Sequence, residues 1–316
     1  MISVVILSYC RGQATVRCLD SLIKNSVNSY EIIVVEQTGQ PEIVEELQQQ
    51  FLNVCFVSSP KNLGVAGGRN YGSTYAKGDY ILFLDNDCEL FSAWDKELNN
   101  ILRDCKPDVL TTKLELEEAD CPFLDFTNRP QMWRYKAPSN SIIQTNTLRG
   151  VAFHNADLFR KLGGFDTQYF IGVEDYDYAM SARDYRLFYT NNIMIYHKHD
   201  CSDTAYEEMR QSERYKNESR VLFRKKWGPL LKDGTGNLLL NKLAPLEMVE
   251  QLIWSVRKNR VRYEFFSSVL DRKVLVKKAT QIHNIDVEKL FCDYYNRAGH
   301  SGLPHMSFWQ KWRSEE

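Results

Sequence analysis

The sequence lacks the signatures of several common protein classes. It has eight cysteines but no C-x-x-C pair, which argues against a zinc site or a compact disulfide scaffold and indicates reduced thiols. No stretch reaches the roughly 18 consecutive apolar residues of a membrane span. The first residues, MISVVILSY, have neither a basic flank nor a small-residue cleavage site, so they predict a buried strand rather than a signal peptide. No G-x-G-x-x-G follows a predicted strand, which argues against a dinucleotide-binding dehydrogenase.

The charge is nearly balanced over the whole chain but not along it. The 316 residues are 43% hydrophobic, which is ample for a packed globular domain, and their net charge is -1. Residues 211–316 hold 20 Lys and Arg against 12 Asp and Glu, so the remainder of the chain is acidic. A basic end region is typical of contact with anionic lipid, a phosphate-bearing substrate or an acidic partner, and equally of a solvated helical surface.

The first 90 residues alternate strands with helices. Strand-forming runs occur at residues 3–7, 31–35, 54–57 and 80–84, with helix-patterned segments between them at 13–24, 41–50 and 64–78. This alternation predicts a parallel sheet with right-handed crossovers. Small residues in GVAGGRNYGSTYAKG permit close packing of the third helix on the sheet, and we expect Gly78 to end that helix. The apolar run YILFL predicts a central strand that is covered on both faces.

The pattern is less regular after residue 90. We expect a helix over 94–103, a long loop or an excursion over the site at 121–145, and a strand over 148–154. A short helix to 162, a turn at 163–164 and a strand over 193–196 should follow. Beyond about residue 204 the chain is predicted to be helical, with apolar residues at helical spacing after Pro245.

Two aspartates end the predicted fourth strand, in YILFLDNDCE. Because residues two apart on an extended chain face the same side, Asp85 and Asp87 can point at one spot. There they repel each other unless a divalent cation lies between them, and carboxylate oxygens suit Mg²⁺ or Mn²⁺. A polar turn explains the tripeptide equally well. Ligands of open α/β sheets bind at the carboxyl ends of strands, so Ser8, Tyr9 and Glu36 are expected on the same rim.

A second acidic cluster, GVEDYD, and a late histidine pair are further candidates. Acidic residues in a first helical turn stabilise the helix dipole, which accounts for part of the cluster. If that helix begins near Glu174, Asp175 and Asp177 lie about 200° apart around it, so only one of them can serve a given site. His197 and His199 follow a strand that can return to the rim, where a histidine is either a ligand or a structural residue.

The ordered segments SVVILSY, EIIVVE, NLGVAGGRNYG, GDYILFLDND, GGF and GVEDYD, followed by His197, resemble the inverting GT-A glycosyltransferases of family 2 over roughly residues 2–227. The resemblance implies a Rossmann-like α/β fold, with a mostly parallel central sheet flanked by helices, in a catalytic domain of residues 1–227. It leaves a basic, mainly helical C-terminal extension at residues 228–316. The implied reaction is a single displacement that moves a sugar from a nucleoside-diphosphate sugar to a hydroxyl acceptor.

The same resemblance assigns a metal site that would hold Mn²⁺ or Mg²⁺. Asp87 matches the last residue of the family's D-x-D motif and would coordinate the metal. Asp85 would contact the ribose or a metal-bound water and is counted with the metal site. His197 matches the third metal ligand, with His199 as the alternative.

The resemblance also assigns the catalytic and donor-binding residues. Asp175 matches the catalytic base, and Glu174 would orient the acceptor. The residues assigned to the nucleotide sugar are Ser8, Tyr9, Glu36, Asn62, Arg69, Asp85 and Asn86. The chain departs from the family where Glu36-Gln37-Thr38 stands in place of the common Asp-Asn-Ser, and where Leu7 replaces a frequent Pro. UDP-sugars are the favoured donors, with dTDP- and GDP-sugars as alternatives.

The implied partners are a nucleotide-sugar donor and a glycan, glycolipid or other hydroxyl acceptor, without nucleic acid, in polysaccharide, glycolipid or glycoconjugate synthesis. Three alternatives are expected for the basic C-terminal region: peripheral contact with a membrane, a subdomain on the acceptor side, or an oligomer interface. The protein is expected in the cytoplasm, either free or bound at the inner face of the membrane.

Two rival functions follow from the same residues. A nucleotidyltransferase would favour a glycine-rich basic loop after the first strand. This chain has SYCRG there, which fits such a loop poorly. A degenerate relative that binds sugars or nucleotides, or scaffolds an assembly, would be expected to lose its acidic positions. Asp85, Asp87 and Asp175 are all present.

Overall fold

A computed structural model describes residues 1–10, 12–114, 121–125, 131–135, 140–145, 147–198 and 213–232. Strands and helices alternate in the first part of the chain: β1 (Ile2–Ser8), α1 (Gly12–Asn25), β2 (Glu31–Glu36), α2 (Pro41–Gln50), β3 (Val54–Ser58), α3 (Gly64–Ser73) and β4 (Tyr80–Asp85). The second part is less regular: β5 (Cys88–Leu90), α4 (Leu98–Cys105), β6 (Val109–Leu114), β7 (Cys121–Asp125), β8 (Gln131–Tyr135), β9 (Ile142–Gln144), β10 (Ala152–Asn155), α5 (Ala156–Lys161), α6 (Glu174–Ser181), β11 (Leu187–His197) and α7 (Glu213–Lys232).

One mixed, mostly parallel sheet organises these elements. Its strand order is β3-β2-β1-β4-β10-β6-β11-β5, and β9 pairs with β11. The predicted parallel pairing of β1 with β2 and β4, and of β2 with β3, is confirmed. Strand β10 runs antiparallel to both β4 and β6, and β5 runs antiparallel to β11. Strands β7 and β8 form a separate antiparallel pair.

The direction of β11 brings a late part of the sequence to the rim formed by β1, β2 and β4. Two successive antiparallel pairings, β4 with β10 and β10 with β6, leave β6 running in the same direction as β4. Since β11 is parallel to β6, its last residue, His197, reaches the edge where β4 ends at Asp85. The two residues are 112 positions apart in sequence and share one end of the sheet.

The core lies on both faces of the central strands. Residues Ile81 to Leu84 of β4 have no exposed surface, as expected for a strand covered by helices on both sides. Helix α3 packs closely because Gly68 and Gly72 face the sheet. A Cβ atom at Gly68 would lie 2.3 Å from Leu7 Cδ1, and one at Gly72 would lie 2.5 Å from a methyl group of Val5. The prediction of close packing by small residues is therefore confirmed.

Several predicted boundaries were wrong. Helix α3 ends at Ser73, and Gly78 is needed for a different reason, since a Cβ there would lie 2.6 Å from the backbone nitrogen of Ser3. The helix expected from residue 94 begins at Leu98, because Trp94 is buried within the preceding turn. The strand expected from residue 148 begins at Ala152. The expected turn at Gly163 and Gly164 is confirmed, with both residues at positive φ.

The expected loop over residues 121–145 was also wrong for most of the described residues, which form β7, β8 and β9, while the alternative of an excursion over the site stays a prediction. In the C-terminal part, α7 confirms helix for residues 213–232 only. The helix predicted after Pro245, and almost all of the region 228–316 with its membrane, acceptor or oligomer roles, lie outside the described residues. His199 lies outside them as well.

Residues Met1–Leu230 form one compact unit. The domain boundary predicted at residue 227 stays a prediction. Within the part of the chain that the structure describes, none of the helices has both the length and the apolar character of a membrane span. The described free thiols are those of Cys10, Cys18, Cys55, Cys88 and Cys105.

Candidate active site

A cleft of about 470 Å³ opens at the carboxyl ends of the central strands. It is lined by residues that follow β1, β2 and β4, by the start of α3, by the loop before α6, by the end of β11 and by α7. Among them are the predicted site residues Tyr9, Asn62, Arg69, Asp85, Asn86, Asp87, Glu174, Asp175 and His197. Elements from widely separated parts of the sequence therefore converge on one cleft, at the rim that the strand order predicted.

Two aspartates and a histidine face one another at one side of the cleft. His197 Nε2 lies 3.0 Å from Asp87 Oδ1 and 3.6 Å from Asp85 Oδ2. The ladder between β5 and β11 fixes this approach because it pairs His197 with Cys88, and the backbone N–H of Lys198 donates to the carbonyl oxygen of Asp87 at 3.1 Å. Two carboxylates and an imidazole at these distances form a donor set that suits Mn²⁺ or Mg²⁺.

Cys88 is a neighbour of this site that the sequence did not indicate. Its Sγ atom, one carboxylate oxygen of Asp87 and one ring nitrogen of His197 all lie within 4.8 Å of one another. Burial, followed by the charge of Asp85, raises the pKa of the Cys88 thiol well above its usual value. The protonated thiol packs in the core behind the aspartates, so the oxygen and nitrogen ligands are the ones suited to a hard cation.

A fully buried guanidinium joins the aspartates to the second acidic cluster. Arg69, on α3, donates to Asp85 Oδ1 at 2.8 Å and to Glu174 Oε1 at 3.2 Å. Burial alone would lower the pKa of Arg69, but the carboxylates of Asp85 and Glu174 outweigh it and hold the pKa above its usual value. Gly150 leaves room for this arrangement, since a Cβ there would lie 2.9 Å from a terminal nitrogen of Arg69.

Glu174 and Asp175 lie at the start of α6, on the other side of Arg69. Glu174 is buried, and burial raises its pKa although Arg69 opposes the shift. Partial burial of Asp175, followed by the neighbouring charge of Glu174, raises the pKa of Asp175 to about 8. Asp175 Oδ1 accepts a hydrogen bond from the backbone N–H of Tyr176 at 2.9 Å. Asp177 does not line the cleft and is buried against α7, so the two aspartates face different surroundings, as the helical spacing predicted.

Two predicted donor-binding residues do not reach the cleft. The Ser8 hydroxyl donates to Glu36 Oε2 at 2.6 Å, and Glu36 Oε1 accepts from the backbone N–H of Thr38 at 2.7 Å. Both side chains are fully buried behind the rim. Gln37 lines the cleft instead, and its Oε1 accepts from the backbone N–H of Leu63 at 3.0 Å. Because residues 36 and 37 alternate across the strand end, the burial of Glu36 leaves Gln37 on the side of the cleft, and the sequence alone did not show which of the two would face it.

The remaining donor-binding candidates line the cleft, and two of them already form hydrogen bonds within the protein. Asn62 Oδ1 accepts from the backbone N–H of Gly64 at 2.8 Å, and the side-chain amide of Asn86 donates to Thr15 Oγ1 at 3.0 Å. Arg220, on α7, also lines the cleft and was not predicted, because nothing in the sequence relates α7 to this site.

Comparison with known proteins places the chain among glycosyltransferases. The family profile described as Glycosyl transferase family 2 matches residues 3–162. An uncharacterized glycosyltransferase of Haemophilus influenzae is 26% identical over 185 residues, which cover 57% of this chain and 61% of the relative. The amylovoran biosynthesis glycosyltransferase AmsB of Erwinia amylovora is 33% identical over 100 residues, 30% of this chain and 32% of the relative. The chain thus matches less than two thirds of the length of either relative.

Solved structures show the same fold. The crystal structure of GalNAc-T7 with UDP, GalNAc and Mn²⁺ superposes with a TM-score of 0.54 at 18% sequence identity, covering 62% of this chain and 43% of that one. The likeness shows that the α/β fold, with its mixed and mostly parallel sheet flanked by helices, is of the GT-A type.

Proposed function

This chain belongs to glycosyl transferase family 2, and we propose that it is a metal-dependent inverting glycosyltransferase. It moves a sugar from a nucleoside-diphosphate sugar, with UDP-sugars favoured, to a hydroxyl group of a glycan, glycolipid or other acceptor, in polysaccharide, glycolipid or glycoconjugate synthesis. One observation carries the proposal: the cleft holds the group Asp85, Asp87 and His197 on one side of Arg69 and the pair Glu174 and Asp175 on the other.

The donor side is proposed to centre on Asp87, His197 and Asp85, which would hold Mn²⁺ or Mg²⁺. Arg69 already offsets part of the charge of Asp85, and a cation between Asp85 and Asp87 would offset the rest, with the imidazole of His197 as a third, borderline ligand. When bound, the cation supplies positive charge that stabilises the leaving diphosphate. Tyr9, Asn62 and the neighbouring Gln37 line the part of the cleft proposed to hold the nucleoside.

The acceptor side is proposed to centre on Asp175. Its carboxylate takes the proton of the acceptor hydroxyl while that oxygen forms a bond to the anomeric carbon. The bond from this carbon to the diphosphate oxygen breaks at the same time, and its electron pair leaves with the diphosphate. Base and cation ligands on separate elements suit attack from the face opposite the leaving group, which inverts the anomeric carbon in one displacement. Glu174 orients the acceptor and holds Arg69.

The rate should depend on pH through the protonation of Asp175. A general base must be unprotonated, and the pKa of Asp175 is raised to about 8 by burial and by Glu174. We therefore expect kcat to rise with pH up to about 8 and to fall about tenfold for each pH unit below it, since the protonated fraction grows in that direction. The profile should be measured between pH 6 and about 9 with saturating donor and Mg²⁺.

A second variant tests the cause of that dependence. Glu174→Gln removes the neighbouring charge that helps to raise the pKa of Asp175, so the rising limb of its kcat profile should move to lower pH. A wild-type rate that stays constant from pH 6 to 9 would contradict the assignment of Asp175 as the titrating base.

Arg220 should contribute to donor binding. It is a half-buried cation in the cleft and makes no ion pair with another described residue, so it is available to an anionic group such as the donor diphosphate. A hydrogen bond between charged groups typically changes affinity about 10- to 100-fold. We expect Arg220→Ala to raise the KM for the donor by that factor with a smaller change in kcat. Arg224→Ala, an exposed position one turn later in α7, is the matched control. An increase confined to the acceptor KM would refute the donor contact.

The function itself is tested with a panel of nucleoside-diphosphate sugars and Mn²⁺. Thermal-shift measurements identify the donor that binds, and hydrolysis of that donor in the absence of acceptor reports turnover. Once an acceptor is found, NMR of the product shows whether the anomeric configuration is inverted. Binding without any turnover or transfer would favour the degenerate relative, and no binding of any donor would overturn the proposal.

A further inference from the structure

Helix α7 reaches the base-bearing segment through a buried carboxylate. Asp177 is 2% exposed, and its two oxygens accept from the Tyr169 hydroxyl at 3.1 Å, from Lys226 Nζ at 2.9 Å and from Trp227 Nε1 at 2.8 Å. Two of these three donors belong to α7. Since Asp177 lies two residues after Asp175 in the first turn of α6, α7 restrains the helix that carries the proposed base.

The same helix holds the loop that leads into α6. Lys226 Nζ also donates to Asp166 Oδ2 at 2.9 Å, so one ammonium group ties both ends of residues 166–177. Between those ends, the Ser219 hydroxyl donates to the carbonyl oxygen of Ile171 at 3.1 Å, and the rings of Tyr215 and Phe170 stack with centroids 5.1 Å apart.

The loop needs such restraint because its backbone is strained immediately before the base. Val173 has φ 74°, and the preceding Gly172 has φ 75°, a value that glycine adopts without strain. A β-branched residue in the left-handed region is an outlier that persists only when the surrounding structure enforces it. The Asp177 N–H donates to the Val173 carbonyl oxygen at 2.9 Å, which links the strained residue to the carboxylate that α7 holds.

We propose that Lys226 and Trp227 are positioning residues that hold Asp175 in its place in the cleft, acting through Asp177 and the strained turn at Gly172 and Val173. The inference rests on the proposed function for the role of Asp175. It adds that α7, which lies beyond the residues matched by the family profile, is part of the catalytic machinery.

A purely structural role explains the contacts less well. The side chain of Asp177 is 3% exposed and that of Lys226 is 36% exposed, and an ion pair that is partly open to solvent adds little to stability. What a satisfied buried polar network does provide is a fixed geometry. The network here fixes the segment that carries Glu174 and Asp175.

The test compares Lys226→Met and Trp227→Phe with the wild-type chain. Lys226→Met removes the donor to Asp177 and Asp166 but keeps an unbranched side chain, and Trp227→Phe removes one donor and keeps a ring. Lys225→Met, an exposed neighbour in the same helix, is the matched control. Amide hydrogen exchange of residues 170–177, read by mass spectrometry, measures the loop directly, and steady-state kinetics with the donor found in the panel measure its effect.

Both variants should loosen the loop and slow the reaction. We expect exchange in residues 170–177 to accelerate about tenfold or more, the effect of losing a charge-assisted hydrogen bond, with β1 and β4 unchanged. For Lys226→Met, kcat should fall about 10²-fold while the donor KM changes little, since misplaced catalytic groups cost rate rather than binding. The rising limb of the kcat profile should also shift to lower pH, because a looser Asp175 is better solvated. Lys226→Arg, which can still donate to both carboxylates, should restore most of the rate.

Three results would overturn the inference. Amide exchange of residues 170–177 could be as slow in both variants as in the wild-type chain, or kcat of Lys226→Met could be no lower than that of Lys225→Met. The third is exchange that accelerates in β1 and β4 as much as in residues 170–177. If the wild-type chain transfers no sugar from any donor, the proposed function fails instead. The exchange comparison then still decides whether α7 restrains the loop.

Discussion

Replacing Asp175 by asparagine should lower kcat about 10²- to 10⁴-fold, the usual contribution of a general base, and leave the affinity for the nucleotide sugar nearly unchanged. The amide has the size of the carboxylate but cannot take the acceptor proton. The proposed cation ligands lie on β4, its following turn and β11, so the substitution on α6 should leave them in place. Donor affinity should be measured by calorimetry with Mn²⁺, and kcat with saturating donor and acceptor.

The control for this variant is Asp157→Asn, on α5. The side chain of Asp157 is 96% exposed and does not line the cleft. It should behave as the wild-type chain in both measurements. Substantial remaining turnover in Asp175→Asn would refute the assignment of this residue as the base. A parallel loss of donor affinity would mean that the residue belongs to the donor side.

Replacing Asp87 by alanine should abolish the part of donor binding that depends on divalent cations. Asp87 is buried and faces His197 at 3.0 Å, so its loss removes a proposed ligand rather than a peripheral charge. Losing a group that only orients a metal ligand typically weakens metal binding about 10- to 100-fold, and losing the ligand should cost more. Calorimetric titration of the donor in Mn²⁺ and in EDTA separates the cation-dependent part of the affinity.

A second readout avoids the donor altogether. Mn²⁺ alone should raise the melting temperature of the wild-type chain and of Asp104→Ala, an exposed control on α4, but not that of Asp87→Ala. Equal donor affinity of Asp87→Ala and wild type in Mn²⁺ would refute the ligand role of Asp87.

The convergence of the rim residues could be predicted because it depends on strand direction alone. Residues that follow parallel strands meet at one edge, and this rule brought Asp85 and Asp87 to the rim from the sequence pattern. The antiparallel insertion of β10 between β4 and β6 could not be read from the pattern, yet it leaves β11 running the right way for His197.

The direction of individual side chains was harder to predict. Leu7 and Tyr9 line the cleft, whereas Ser8 between them is buried, and Gln37 lines it whereas Glu36 does not. Alternation along a strand is strict, but where the strand gives way to the following turn decides which member of a pair faces the ligand. A polar residue at the end of a strand is therefore a candidate for the site or for the hydrogen bonds that close the strand, as the Ser8 and Glu36 pair does.

The part played by α7 was beyond the reach of the sequence. Lys226 finds its two carboxylates 49 and 60 residues away, and Arg220 enters a cleft built mainly from the first 200 residues. Local periodicity predicts that such a segment is helical, but not which surface it covers. Likewise, the strands within residues 121–145 are short, and the many polar and proline residues around them hid their pattern.

The side of α3 that packs on the sheet includes Gly68 and Gly72, and this affects when the helix can form during folding. Glycine is among the poorest helix formers, so α3 has little tendency to form in the isolated chain. Its turns become stable only once Leu7 and Val5 offer a surface against which Gly68 and Gly72 pack. We therefore expect Arg69 to take its place only after β1 has formed its part of the sheet, so the link that Arg69 makes between Asp85 and Glu174 depends on that strand.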